Sequence, residues 1–177
     1  MNHDFDVLVV GGPVGPHSIG LYAAGLAVAA GASRVVYLDD DEQRLQIAAH
    51  LGAEAIQGAP VKKVGAFPIT VDASGTEAGL ACALGSTAGD GTCTSTSVYL
   101  QDPAVPMFAM YARCCTLHTG RAHVRPAIPE VLKLVADGLF DPSIVTTTQV
   151  AWDDAVAALT EPTMKVVLTR PDPGASD

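Results

Sequence analysis

The stretch Phe5-Asp6-Val7-Leu8-Val9-Val10-Gly11-Gly12-Pro13-Val14-Gly15-Pro16-His17-Ser18-Ile19-Gly20 decides the fold. Its first six residues are a short β-branched and apolar run that reads as a strand buried on both faces. Gly11-Gly12 stops the run. From His17 to Ala30 the chain is rich in Ala and Leu, with Ile19, Tyr22, Ala23, Leu26 and Ala30 along one side, which predicts a helix ended by Gly31. A buried strand, a glycine turn and a helix make the first half of a parallel crossover unit.

The same alternation continues outward. Val35 to Leu38 reads as a second strand, Asp40 to Leu51 as a helix closed by Gly52, and Ala55-Ile56 as a short third strand. A long loop, Gln57 to Ala66, carries Gly, Pro and the pair Lys62-Lys63. Ile69 to Asp72 is a fourth strand, followed by the turn Ala73-Ser74-Gly75 and a helix through Leu84. Thr92 to Tyr99 reads as a fifth strand and Cys115 to Thr119 as a sixth. Beyond Gly120 come an amphipathic helix (Ile128 to Ala136), a strand (Val145 to Val150), a helix (Asp153 to Leu159) and a last strand (Lys165 to Leu168). The pattern predicts a doubly wound parallel sheet of about six strands over 1–144, an α/β extension over 145–170 and a frayed tail over 171–177.

Composition narrows the class. The chain has 177 residues, 49% hydrophobic and 16% charged, and a mean hydropathy of +0.30, which excludes a disordered chain and suits one full core. A net charge of -9 repels polyanions, so no nucleic-acid partner is expected. No run approaches the roughly 18 apolar residues of a membrane span, and the acidic start runs straight into a strand without a signal peptide, so no membrane partner is expected either. Cys82, Cys93, Cys114 and Cys115 lack disulfide or ligand spacing, and the expected setting is a reducing cytoplasm.

Two features carry ligand chemistry. Glycine after the first strand lets the backbone approach a pyrophosphate, and the following helix N-terminus offers free N–H groups and partial positive charge. At the tip of the second strand stands Asp39, 19 positions after Gly20, where an acid can accept hydrogen bonds from an adenosine ribose. Asp40 and Asp41 follow. Helix capping competes for these acids, and both readings hold at once with Asp39 on the ribose and a neighbour on the cap. Three acids there repel a 2′-phosphate, which favours NAD over NADP.

These residues resemble the coenzyme-binding half of the zinc-dependent medium-chain dehydrogenases, the alcohol dehydrogenase group. The similar stretches are Val7 to Gly11, Gly20 to Ala32, Val35 to Leu45, Leu51-Gly52-Ala53, Val71 to Gly75, Ile128 to Leu132, Trp152 to Ala155 and Lys165 to Val167. The resemblance implies a Rossmann-type fold that binds NAD(H), with Asp39 on the ribose hydroxyls and Arg44 beside the adenosine. Ser74, Ser95 and Thr119 would line the cleft from adenine to nicotinamide, and Gly11, Gly15, His17, Ser18, Ile19 and Gly20 the phosphate turn.

The chain departs from the family twice. The family's turn is G-x-G-x-x-G with its last glycine 11 residues before the glycine that ends the helix. Gly20 meets this, since Gly31 follows at that spacing, but His17 then stands where the middle glycine should be and the turn is about four residues longer. A register on Gly11 to Gly15 fits the turn locally and leaves Asp39 24 residues away. Gly20 agrees with both helix length and acid position and is preferred. The second departure is the GroES-like domain that supplies the family's catalytic zinc ligands: the sequence starts where the coenzyme domain starts, so zinc is expected only in that other domain. The resemblance therefore implies an NAD-binding half of an alcohol-oxidising enzyme, truncated or split, inactive alone and served by a separate polypeptide carrying the catalytic domain. The competing reading is a nucleotide-binding or regulatory module without turnover.

Other candidates weigh less. His118 and His123 lack a third ligand, Arg121 and Arg125 read as loop charges or phosphate contacts, and Ser74 has no histidine placed to activate it. Trp152 reads as a hydrophobic staple before a helix. The apolar stretch Ser95 to Met110 is expected to form an open sheet edge that a second copy covers, which predicts a homodimer.

Overall fold

The computed structural model describes residues 3–14, 17–161 and 163–170. Gly15 and the tail lie outside the described residues. The first unit is β1 (His3–Val10), α1 (Ser18–Ala29), β2 (Ala32–Asp39), α2 (Glu42–His50) and β3 (Glu54–Gln57). The second is β4 (Phe67–Asp72), α3 (Glu77–Ser86), β5 (Thr87–Ser95), α4 (Met107–Arg113) and β6 (Thr116–Thr119). These six strands form one sheet in the order β3-β2-β1-β4-β5-β6, and every pair is parallel. The chain is a doubly wound Rossmann-type α/β fold, as its alternating pattern predicts.

The apolar strands alternate between two cores. Val7, Val9, Val35 and Tyr37 face Leu21 and Ala24 of α1, Leu45 and Ala48 of α2, and Phe140. Leu8, Val10, Val36 and Leu38 face Leu80, Ala83 and Leu84 of α3 and Met110 of α4. Both faces of β1 and β2 are thus sealed, which is why these strands read as unbroken apolar runs. Gly31, at φ +85°, turns the chain out of α1 into β2.

After β6 the chain forms α5 (Ile128–Ala136), β7 (Thr148–Ala151), α6 (Ala155–Thr160) and β8 (Val166–Thr169). β7 and β8 make a separate parallel pair. Val145, expected to begin a strand, instead ends a 3-10 turn, Pro142–Val145, and is fully buried in the core beside Phe140. The Arg170 guanidinium stacks on Trp152, its central carbon 3.6 Å from the ring centre.

The expectation for Ser95 to Met110 is corrected. β5 begins at Thr87, whose hydroxyl bonds to the Ala83 carbonyl and to Thr70, and ends at Ser95. It lies inside the sheet, between β4 and β6. Beyond Ser95 the chain folds over the strand tips, with Ser97 Oγ accepting from the Gly75 N–H, and α4 starts directly after Pro106. Pro103 and Pro106 cannot donate to a ladder. Val98 and Leu100 are exposed on this loop, not on a sheet edge, and the open edge on this side is β6. No helix among the described residues is long and apolar enough to cross a membrane.

Candidate nucleotide site at the sheet reversal

Strand order reverses between β1 and β4, and ligands of open parallel sheets bind at the strands' C-terminal ends where this happens. The register places the tips of five strands in one row: Val10 pairs with Leu38 and with Asp72, Asp72 with Ser95, and Ser95 with Thr119. Asp39, Ser74, Ser95 and Thr119 are thereby brought to one edge of the sheet.

The turn after β1 is pressed against its neighbours. A Cβ on Gly11 would lie 2.1 Å from Asp39 Oδ2, and one on Gly12 would lie 2.9 Å from the Ser74 backbone. Gly20 sits in the first turn of α1, where a Cβ would come within 3.2 Å of Ala73 Cβ and 3.4 Å of Tyr37 Cε2. At Gly20 an added methyl would require its neighbours to give by a few tenths of an ångström, whereas at Gly11 and Gly12 the space is already taken. His17 precedes the helix, and its Nδ1 lies 3.3 Å from the Gly12 carbonyl oxygen, to which the Nδ1–H form donates. Ser18 is buried and Ile19 half-buried. Val14 folds back over the tip of β4: its N–H donates to the Ser74 carbonyl at 3.4 Å, and a Cβ on Gly75, whose φ is +67°, would lie 2.7 Å from Val14 Cβ.

The Asp39 carboxylate accepts four hydrogen bonds. Oδ2 accepts from Arg44 Nε at 2.8 Å and from the Tyr37 hydroxyl at 3.0 Å. Oδ1 accepts from Arg44 Nη2 at 2.6 Å and from the Asp41 N–H at 3.0 Å. The Asp39 side chain is 0% exposed and that of Arg44 9%. Burial raises the Asp39 pKa, but the Arg44 hydrogen bonds, the Asp41 amide, the Arg44 charge and the Tyr37 hydroxyl outweigh it and leave a net lowering. Burial pushes the Tyr37 hydroxyl up, and the neighbouring Asp39 adds to the shift. Asp41 caps α2, accepting from the Arg44 N–H at 2.8 Å, so capping and the strand-tip acid occupy different residues.

A second buried acid, Asp72, organises the other side. It accepts from the Ser74 N–H and hydroxyl, from Ser95 and from the Tyr99 hydroxyl. Burial first, then Asp72, raise the Tyr99 pKa, so Tyr99 stands as a neutral donor. Beside it a cavity of about 340 Å³ is lined by Ser95, Ser97, Tyr99, Leu117 and Thr119. Tyr37 and Tyr99 are the site residues sequence reasoning missed: Tyr37 reads as one more core position, and Tyr99 as part of a strand. His118, His123, Arg121 and Arg125 are all exposed, and no group of three His, Cys, Asp or Glu among the described residues could hold a metal ion.

The glycine turn, the acid at the tip of β2 and the polar row to Thr119 thus lie along one edge of the sheet, with His17 held to Gly12 and Val14 held to Ser74 beside them.

No protein-family model and no curated protein matches the chain. Solved structures do. The 2R,3R-butanediol dehydrogenase from Bacillus subtilis superposes with a TM-score of 0.82 at 21% identity, over 97% of this chain and 52% of that one. An alcohol dehydrogenase from Thermus sp. gives 0.81 at 27% identity, over 94% and 51%. A dehydrogenase from Escherichia coli, complexed with NADH, gives 0.75 at 19% identity, over 89% and 48%. The chain thus spans about half the length of the solved structures it matches. Other similar structures are zinc-binding dehydrogenases from Sinorhizobium meliloti and Clostridium scindens and a zinc-binding-domain alcohol dehydrogenase from Burkholderia ambifaria, and what this chain shares with them is the fold over about half their length.

Proposed function

We propose that the chain is the NAD-binding half of a zinc-type alcohol dehydrogenase, an oxidoreductase that moves hydride between NAD and an alcohol or aldehyde. The observation that carries the reading is the joint placement of Gly20 and Asp39. The glycine lets α1 close on β4 and β2, and the acid stands at the β2 tip beside Gly11, where an adenosine ribose would meet it. Bound coenzyme supplies the hydride acceptor. The chain's part is to hold it: Asp39 accepts from the ribose hydroxyls once Arg44 yields one of its two bonds, the first N–H groups of α1 face the phosphates, and Ser74, Ser95 and Thr119 line the path to the nicotinamide. Asp40 and Asp41 favour NAD over NADP.

In this reading zinc and its ligands sit on a separate catalytic domain. The chain by itself binds coenzyme without oxidising alcohol, because an alkoxide has no Lewis acid to rest on. Four free thiols support a reducing, cytoplasmic setting. A homodimer is part of the proposal, supported by the open edge of β6 and by exposed Phe108 and Tyr111 on α4.

Calorimetric titration with NAD, NADH, NADP and ADP-ribose tests the reading. NAD and ADP-ribose should bind one to one, NADP more weakly, and Asp39→Ala should weaken NAD about tenfold, the scale of one charge-assisted bond. Absence of binding by all four ligands would sink the proposal, and NADP binding as tightly as NAD would remove Asp39 from the ribose.

A further inference from the structure

β3 and β4 are parallel strands on opposite sides of β2 and β1, yet only residues 58–66 join them. Parallel connections ordinarily take a dozen or more residues and carry a helix that covers the sheet. This one has no helix, so the face occupied by α3 has one cover fewer than its neighbours. The loop lies directly on the end of α3 instead. A Cβ on Gly85 would lie 2.2 Å from the Lys62 carbonyl oxygen, and the Val64 N–H donates to Ser86 Oγ at 2.9 Å. On the other side of α3, Arg113 ties α4 down by donating to the carbonyls of Leu84, Gly85 and Thr87.

Between the anchored loop and α4 remains a groove of about 670 Å³, floored by Ala81 and Gly85 and walled by Val61, Pro106 and Ala109. That volume falls within the ordinary range of small-molecule sites. Its rim is basic: Lys62, Lys63 and Arg113 line it and no carboxylate does. Arg113 is spent on α3 carbonyls, whereas Lys62 and Lys63 are exposed and have no ion-pair partner among the described residues. In a chain of net charge -9 this is a local reversal of sign over an apolar floor.

We infer that the groove binds a small organic anion with an apolar tail, of the medium-chain carboxylate class. The carboxylate meets Lys62 and Lys63, and the tail lies along Ala81 and Ala109. Gly85 and Arg113 stand just before the starts of β5 and β6, the end of the sheet opposite the row from Asp39 to Thr119, so the site is independent of the dinucleotide reading.

Calorimetry of the full chain with decanoate tests it, with 1-decanol and inorganic phosphate as the tail-only and charge-only arms. Decanoate should saturate a single site, decanol should bind at least about tenfold more weakly, and phosphate should not saturate. The double variant Lys62→Glu/Lys63→Glu should weaken decanoate at least about tenfold by reversing the rim, and Ala81→Trp should abolish binding by filling the floor. All three side chains are exposed, so urea midpoints should hold; if Ala81→Trp fails to fold, the lysine variant decides alone. ADP-ribose affinity should be the same in the parent and both variants. No saturable decanoate binding, equal binding of decanol or phosphate, or unchanged affinity in the lysine variant overturns the inference.

Discussion

Arg44 closes over Asp39: Nε reaches one carboxylate oxygen at 2.8 Å and Nη2 the other at 2.6 Å, with the Asp39 side chain shut off from solvent. Both ends of this pair come from one short segment, the tip of β2 and the first turn of α2. Removing either end has unequal effects, because Asp39 keeps Tyr37 and the Asp41 amide at hydrogen-bond distance while Arg44 keeps only the longer pairs to the more exposed Asp40 and Asp41, at 3.4 and 3.7 Å.

Asp39→Ala should therefore cost about 3 kcal/mol in urea unfolding, the scale of stranding a buried partner. Arg44→Met should cost about 1–2 kcal/mol. Because the net effect on Asp39 is a lowered pKa, its contribution to stability is fully present above the unfolded carboxylate pKa, near 4. It is lost as pH falls through the still lower folded value. Stability measured from pH 6 down to pH 2 should fall less steeply in Asp39→Ala than in the parent chain, and parallel curves would refute the linkage.

Arg44 also pairs with Asp40 at 3.4 Å and Asp41 at 3.7 Å, whose side chains are 61% and 41% exposed, so one guanidinium is shared by three acids and the cluster keeps a net negative charge at its exposed side. Asp40→Ser/Asp41→Ser removes two charges while serine at 41 still caps α2. The NAD-to-NADP affinity ratio should shrink about tenfold at low salt. A ratio that does not move would place coenzyme choice elsewhere.

Gly85→Ala should lower the urea midpoint by the equivalent of about 2 kcal/mol, since its methyl group would meet the Lys62 carbonyl and lift the loop off α3. Ser86→Ala should cost about 1 kcal/mol by releasing the Val64 amide. Hydrogen exchange at Val64 should quicken in both variants, and protection equal to the parent's would show that the loop is held by other contacts.

Burial pushes the Cys93 thiol up to about 11 and raises that of Cys82. Cys114 is exposed, in a left-handed turn at φ 53° after α4. Iodoacetamide at pH 8 should alkylate Cys114 first and leave Cys82 and Cys93 untouched until the chain unfolds. Cys114→Ser should remove the fast phase; a fast phase that survives would locate the accessible thiol elsewhere.

Much of the architecture could be read from local pattern. Val7 to Val10 and Val35 to Leu38 are apolar on both faces because helices cover both sides of the central strands, and Gly31 and Gly52 end helices at the positions their spacing indicates. The region from Ser95 to Met110 could not be read so. Its apolar residues have strand composition, and what sends the chain over the tips of β4 is long-range: Ser97 reaching Gly75, Tyr99 reaching Asp72. At the candidate site, Asp39 could be named from spacing and Arg44 only through the family resemblance, and neither showed their bidentate closure, because a tip acid offers the same letters whether its partner is a ribose or the guanidinium five residues on. Tyr37 gave no signal at all; its ring satisfies the apolar pattern and only its hydroxyl, invisible to periodicity, reaches Asp39.

The central position of β1 has a consequence for how the chain is made. Val7 pairs with Val35 on one side and with Ile69 on the other, so the earliest strand of this sheet to be synthesised is also the one whose second edge stays uncovered until β4 has emerged. At translation speeds of roughly 5–20 residues per second, Val7 to Val10 waits for seconds as a bare apolar edge. The residues made by then, 1–72, carry eight acids against four Lys and Arg, and that like charge disfavours pairing of such bare edges between nascent copies.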